Sequence, residues 1–102
     1  MDGLGRFADP AVLILTSLAG GPKHGYALIK DVEEIAGTTL GPGTLYGALS
    51  RLERRSLIEA LPEEERRRPY RITSTGAEAL RDYLEHARRV SAAGLKRLQA
   101  FA

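Results

Sequence analysis

The sequence contains no cysteine and no tryptophan, and its longest apolar run is short. The missing cysteines exclude disulfides, thiol nucleophiles and the usual structural zinc site, and they favour a reducing compartment, so we expect a cytoplasmic protein. The apolar run, residues 10–19, has about half of the ~20 residues that cross a bilayer. Asp9 before it does not suit the basic flank of a signal peptide. We therefore expect no membrane segment.

Residues that commonly carry catalysis or bind metals are also few. The two histidines, His24 and His86, lie far apart in the chain, and no spacing of His, Asp and Glu indicates a metal site. We expect His24 to be a structural residue at the start of a helix and His86 to be exposed on a later one. The sequence therefore predicts neither an enzyme nor a cofactor.

The chain of 102 residues, 43% of them hydrophobic, is long enough for one domain with a modest core. Its net charge is +2, but the charges are unevenly placed. Residues 1–40 hold three Lys/Arg and five Asp/Glu, whereas residues 41–102 hold twelve and eight. A basic second part fits an anionic partner, although many proteins with other partners share this feature.

One stretch, residues 41–52, has the pattern of an amphipathic helix with a small and then basic face. Pro42 suits a first helical position, and leucines recur at i, i+4 and i+7 from Leu45. The opposite face carries Gly43, Gly47, Ser50, Arg51 and Arg54, with Thr44 and Tyr46 on its flanks. Such a face brings backbone and then arginines close to a polyanion, so we predict that it enters a DNA major groove. The alternative interpretation is an ordinary solvated face.

The segments around this helix predict a helix-turn-helix. Residues 1–9 read as an arm, and Asp9-Pro10 then predicts a capped helix over residues 10–18 that is apolar on nearly every side. A glycine-rich break is followed by a helical period over residues 24–36, ended by Gly37. A short link leads into the amphipathic helix, which would be the recognition helix.

A change to period two after this helix predicts a β-hairpin, and therefore a winged helix. Ile58 and Ala60 alternate with Glu59 and Leu61, and Tyr70 and Ile72 alternate with Arg71 and Thr73. The loop between the two segments is long and charged. Its arginines, Arg66, Arg67 and Arg68, are predicted to reach DNA phosphate. The alternative is a solvated loop, because three glutamates at 63–65 would oppose phosphate contact. Residues 10–75 would form the DNA-binding domain of a mainly α fold.

Residues 76–102 are predicted to form a long dimerisation helix. Thr75-Gly76-Ala77-Glu78 matches a capping box, and apolar or small residues continue at strict heptad spacing from Ala77. The predicted interface residues are Leu80, Leu84, Ala87, Ser91, Gly94, Leu98 and Phe101. A chain this short cannot cover so long a stripe, so we expect a homodimer. The alternative is that the first half packs on the domain and the rest frays.

Several motifs together resemble the PadR-like transcriptional regulators. They are His24-Gly25-Tyr26-Ala27-Leu28, Gly43-Thr44-Leu45-Tyr46-Gly47-Ala48-Leu49 with Arg51-Leu52-Glu53, Leu57-Ile58, and Tyr70-Arg71-Ile72-Thr73 with Gly76. The resemblance covers roughly residues 11–80 in unbroken order. It implies a winged-helix repressor of the family's compact branch, which has a single C-terminal dimerisation helix and binds double-stranded operator DNA. The chain departs from the family pattern in having Gly47 where proline is common, and a wing tip without glycine.

The expected function is sequence-specific binding of an inverted-repeat operator by a homodimer. Some relatives bind planar aromatic ligands at the dimer centre, and the last helix of this chain offers only Tyr83 and Phe101 for such a contact. A small-molecule effector of unknown identity is thus left open as a partner. The competing hypothesis is a winged-helix module that docks a partner protein through the C-terminal helix. Duplex binding that weakens steeply with salt would support the DNA-binding hypothesis, because an apolar protein contact changes little with salt.

Overall fold

The computed structural model describes residues 9–101, and the prediction of an N-terminal arm falls on residues 1–8, outside the described residues. The elements in chain order are α1 (Pro10–Leu18), α2 (Gly25–Ala36), α3 (Pro42–Arg54), β1 (Ile58–Ala60), β2 (Tyr70–Ile72) and α4 (Ser74–Gln99). The predicted fold class is confirmed: the chain is mainly α, with a small antiparallel hairpin after a helix-turn-helix and a long helix at the end.

Helix α1 lies at the centre of the domain. Its N-terminus is capped by Asp9, whose carboxylate accepts a hydrogen bond from the Ala11 backbone N–H at 2.7 Å, and Pro10 supplies the first helical residue. The helix contacts α2, α3, α4 and β2. This position explains why its sequence is apolar on nearly every side, as predicted.

The core forms where α1, α2 and α3 meet. Helices α2 and α3 each present one apolar face to α1, and the link before α3 (Leu40), β1 and α4 contribute one buried residue each. The buried hydrophobic residues are Leu13, Ile14, Leu15, Leu18, Leu28, Val32, Leu40, Leu45, Ala48, Leu49, Leu52, Ile58 and Leu80. Because the apolar side of α3 is fixed in this core, its opposite face must point to solvent.

The hairpin is tied to the start of α2 as well as to itself. In the antiparallel pair, Ile58 faces Ile72 and Ala60 faces Tyr70. Tyr70 also exchanges two backbone hydrogen bonds with Lys23, at 3.0 and 3.2 Å. Lys23, two residues before the start of α2, therefore pairs with the outer edge of the hairpin as a one-residue bridge.

The prediction that Thr75 caps the last helix is wrong. Helix α4 begins at Ser74, and Thr73 is the cap: its hydroxyl oxygen accepts from the Gly76 N–H at 3.0 Å and donates to the Ser56 carbonyl at 2.7 Å. A Cβ on Gly76 would lie 2.0 Å from the Leu57 carbonyl oxygen. The first turn of α4 is thus pressed against the chain before β1, and that tertiary contact sets where the helix begins.

Candidate nucleic-acid interface

The polar face of α3 is open to solvent along its whole length. Five of the predicted DNA-binding residues on this helix are exposed and the sixth, Gly47, is half-buried; the exposed ones are Thr44, Tyr46, Ser50, Arg51 and Arg54. The guanidinium of Arg54 donates to the Ser50 hydroxyl at 3.1 Å, one turn earlier. The sequence placed these residues on one face correctly, whereas their contact with DNA stays a prediction.

Two glycines on this face are not required by the fold. A Cβ on Gly43 would meet nothing within 4 Å, and one on Gly47 would meet only the Arg51 guanidinium at 3.7 Å. Both residues lie within α3, and neither has the positive φ that favours glycine. They leave the first two turns of the helix bare on the solvent side.

Tyr46 packs over the first turn of α2. A Cβ on Gly25 would lie 2.4 Å from the Tyr46 hydroxyl oxygen, so the ring fits against α2 only because residue 25 is glycine. Gly25 is buried, while Tyr46 remains 53% exposed. The hydroxyl is therefore held at the junction of the two helices, which is a contact that the helical period alone does not reveal.

The wing ends in a tight turn built without glycine. Glu64 and Arg67 exchange backbone hydrogen bonds of 2.8 Å in both directions, and the two residues between them, Glu65 and Arg66, have φ of 48° and 67°. Two successive left-handed residues are typical of a type I′ turn, where Asn-Gly is the usual pair. The turn holds Arg66 and the two glutamates at the outermost end of the wing.

The three wing arginines have different surroundings. The Arg68 guanidinium donates to the Leu61 carbonyl at 2.7 Å and so closes the base of the loop. The Arg67 guanidinium turns instead toward α2, where its Nη1 lies 3.2 Å from Nε2 of His24. Arg66 lies in the turn itself. The sequence predicted one common phosphate-contacting role for all three, and that role remains a prediction.

An open concavity of about 300 Å³ lies between the wing and the starts of α2 and α3. Its lining residues are His24, Gly25, Tyr26, Tyr46, Glu63, Arg66, Arg67, Arg68 and Tyr70. Burial raises the pKa of the Tyr70 phenol above its ordinary 10.0; the negative charge of Glu53 acts in the same direction, and the positive charge of Arg68 opposes it. Tyr70 is thus a neutral hydrogen-bonding group on this wall at physiological pH.

The predicted dimer surface needs one correction. Leu80 is 6% exposed and belongs to the core of its own protomer, because the first turns of α4 pack on α1. Beyond it, α4 carries exposed large apolar residues: Tyr83, Leu84, Val90, Leu95 and Leu98, followed by Phe101. Of the small residues predicted between them, Ala87 is half-buried and Ser91 and Gly94 are exposed.

Three members of this apolar surface, Tyr83, Val90 and Leu95, were missed by the sequence prediction. Strict heptad spacing from Ala77 selects only the a and d positions. Tyr83 and Val90 occupy g positions and Leu95 an e position, which flank that stripe on the same side of the helix. A search that also included the positions next to the heptad stripe would have identified all three residues.

The sequence also missed the second contact of His24. Its role as a structural residue is confirmed, since Nδ1 caps α2 by accepting from the Ala27 N–H at 3.4 Å. Its approach to Arg67 joins residues that are 43 positions apart, so no local pattern could indicate it. Within residues 9–101 no group of three or more acidic, His or Cys side chains could hold a metal ion, and each helix is too short or too polar to span a membrane.

Comparison with known proteins gives consistent results. The model of the transcriptional regulator PadR-like family matches residues 14–82. A PadR family transcription regulator from Clostridium difficile R20291, solved as a crystal structure, superimposes with a TM-score of 0.78 at 28% identity, covering 87% of this chain and 97% of that one.

Two curated proteins share part of the sequence. An uncharacterised 37.1 kDa protein in a transposon of Streptomyces fradiae is 48% identical over 75 residues, which are 74% of this chain and 22% of that protein. The transcriptional activator GvpE2 of Halobacterium salinarum is 32% identical over 76 residues, 74% of this chain and 38% of that protein. The matched part of the chain therefore spans about a fifth of the length of the first relative and about two fifths of the length of the second.

Proposed function

Because this chain belongs to the PadR-like family of transcriptional regulators, we propose that it is a homodimeric repressor that acts in the cytoplasm on an inverted-repeat operator. Each protomer inserts the exposed face of α3 into a major groove, and the two α4 helices hold the protomers together. The observation that carries the proposal is the solvent-facing side of α3, bare at its start and cationic at its end.

The contacts of α3 follow from its geometry. Thr44 and Tyr46 lie at the edge of the face nearest the N-terminus, where their hydroxyls suit backbone phosphate and fix the register of the helix. Ser50, Arg51 and Arg54 follow further along, where side chains reach base edges. The hydrogen bond from Arg54 to Ser50 holds the guanidinium along the helix rather than free in solvent.

The dimer is supported by the apolar surface of α4. Leu95 and Leu98 are each more than 60% exposed in the single protomer, and Phe101 beyond them is 80% exposed. A contiguous apolar surface of this kind marks an interaction site, since monomeric proteins rarely expose one. The same exposed residues on a second copy would supply a matching surface around a twofold axis.

The proposal is tested by duplex binding. DNA fragments selected by the protein from a genomic pool supply the operator, and binding to operator and random duplex is compared over a range of salt concentrations. Affinity should fall steeply as salt rises, because bound phosphates release counterions. Arg54→Ala should weaken operator binding by about 1–3 kcal/mol and random-duplex binding by less, whereas Tyr46→Phe should weaken both alike. Equal losses on both DNAs would reduce Arg54 to a phosphate contact.

Repression is tested separately by transcription in vitro. Addition of the protein should lower the transcript from a promoter that overlaps the selected site, and a higher transcript would make the protein an activator, as the relative GvpE2 is named.

A second candidate function is docking of a partner protein through α4. The exposed apolar residues of α4 would fit such a partner, and the three glutamates at 63–65 favour this function slightly because they oppose phosphate contact. An apolar protein contact changes little with salt, so salt-insensitive capture of a partner together with absence of duplex binding would support this function instead.

A further inference from the structure

Both ring nitrogens of His24 face hydrogen-bond donors. Nδ1 receives the backbone N–H of Ala27 at 3.4 Å as the cap of α2, and Nε2 lies 3.2 Å from the guanidinium of Arg67. A neutral imidazole has one acceptor nitrogen, and its other nitrogen carries a proton; a guanidinium only donates. When Nδ1 accepts the cap, Nε2–H therefore points at another donor.

In this tautomer the two donors can share one acceptor that lies within reach of both, whereas in the other tautomer Nε2 accepts from Arg67 and Nδ1–H faces the Ala27 N–H. Nε2–H of His24 and an N–H of Arg67 lie close enough for a single anionic oxygen to accept from the two groups, and charge-assisted hydrogen bonds of this type are the strong ones. The arrangement is therefore more favourable with an anion present than without one.

The backbone holds the two side chains in place. The Lys23–Tyr70 hydrogen bonds fix the residue before His24 to the wing, and the tight turn fixes Arg67 through both of its backbone bonds to Glu64. The concavity beside them is lined by three arginines and one glutamate, Glu63, so its charge is positive. Tyr46 also lines this concavity and belongs to α3, whose exposed face is proposed to enter the groove.

We propose that His24 and Arg67 form a phosphate cradle that binds one phosphodiester of the DNA backbone. This inference rests on the proposed function and adds His24 to its binding residues. The cradle joins the wing to the start of α2, so the phosphate is held beside the recognition helix and sets how α3 enters the groove. It binds phosphate only, and it therefore contributes affinity without sequence preference.

The test replaces His24 with residues that also cap α2, so that a loss of DNA binding cannot be attributed to a loss of folding. Asn and Asp cap helices at least as well as His, but neither carries the Nε2–H donor. His24→Asn should keep the melting temperature of the parent and weaken binding to a mixed-sequence duplex of about three helical turns by about three- to tenfold. His24→Asp should fold as well and bind more weakly still, because its carboxylate repels phosphate.

Arg67 provides the second half of the test. Arg67→Gln should weaken the same duplex and lower the salt slope by about one per protomer. The double variant His24→Asn/Arg67→Gln should lose less than the product of the single losses, because both groups hold one phosphate. Arg71→Gln is the matched control: it removes an arginine of the wing that pairs with Glu59, away from the cradle, and should change binding much less.

The outcomes separate this inference from the proposed function. A parent protein that fails to bind duplex DNA overturns both. A parent that binds in a salt-dependent manner while His24→Asn and His24→Asp bind equally tightly overturns the cradle alone. Displacement of the duplex by inorganic phosphate, at an ionic strength where chloride has no effect, would assign the cradle to free phosphate and overturn its assignment to the DNA backbone.

Discussion

At the scale of single residues, a substitution of Gly47 should change both the stability of the protein and the proposed contact of α3 with DNA. Glycine within a helix costs roughly 0.5–1 kcal/mol relative to alanine, and the space around Gly47 would accept a methyl group. Gly47→Ala should therefore raise the free energy of unfolding by about that amount, measured by urea denaturation. The same methyl would stand on the face proposed to approach the DNA, so operator affinity should fall. A variant that gains stability and keeps its affinity would contradict close backbone approach at this position.

The residues of the α3 face could be predicted because their placement depends only on the helical period. Leu45 and Leu49 fix one side in the core, and the opposite side follows. The surroundings of the wing arginines could not be predicted, because they depend on partners distant in sequence. Arg67 lies against His24 only after the hairpin has paired with Lys23, the residue before His24. The position of the Tyr46 side chain likewise depends on Gly25, which belongs to a different helix.

At the scale of elements, the start of α4 gives a direct comparison of two threonines. Thr73→Ala removes both the cap and the hydrogen bond to Ser56, so the free energy of unfolding should fall by about 1–2 kcal/mol. Thr75 is exposed within the first turn, and Thr75→Ala should change stability by less than about 0.5 kcal/mol. Urea denaturation of the two variants measures both effects. A larger loss for Thr75→Ala would restore the predicted capping box.

The bounds of α1 and α2 and the start of α3 were predictable to within a residue, because each lies at a local signal, whereas α3 extends two residues beyond the predicted stretch to Arg54. Asp9-Pro10 starts α1, and Gly37 ends α2 with φ of 66°. The start of α4 is not set by a local signal of this kind. The helix begins where its first turn contacts residues 56 and 57, and not at the pattern two residues later that resembles a capping box.

At the scale of the whole molecule, the exposed surface of α4 predicts a dimer that a single charge can break. Leu98→Glu would place an unpaired charge in the apolar interface, which costs several kcal/mol and should produce monomers in sedimentation experiments. Ala93→Glu introduces the same charge on the polar side of α4, between Arg89 and Arg97 one turn away on either side. This control should remain a dimer. A dimeric Leu98→Glu protein would place the interface elsewhere.

Helix α3, the proposed recognition helix, precedes α4 by only a hairpin, so the packing of two α4 helices would determine the distance between two α3 helices. Half-sites on one side of the DNA lie about one helical turn apart, near 34–36 Å. An effector bound between the α4 helices would act through this distance. The same geometry makes the spacing of the operator a test of the whole account.

The most direct test is to insert five base pairs, about half a helical turn, between the two halves of the selected operator. The inserted DNA turns one half-site to the opposite side of the duplex, so a rigid dimer can bind only one of them, and affinity should fall toward that for random duplex. Insertion of about ten base pairs, a full turn, returns both half-sites to the same side of the duplex but leaves them farther apart, and it serves as the comparison. Unchanged affinity after the half-turn insertion would contradict the reading of both half-sites by one rigid dimer.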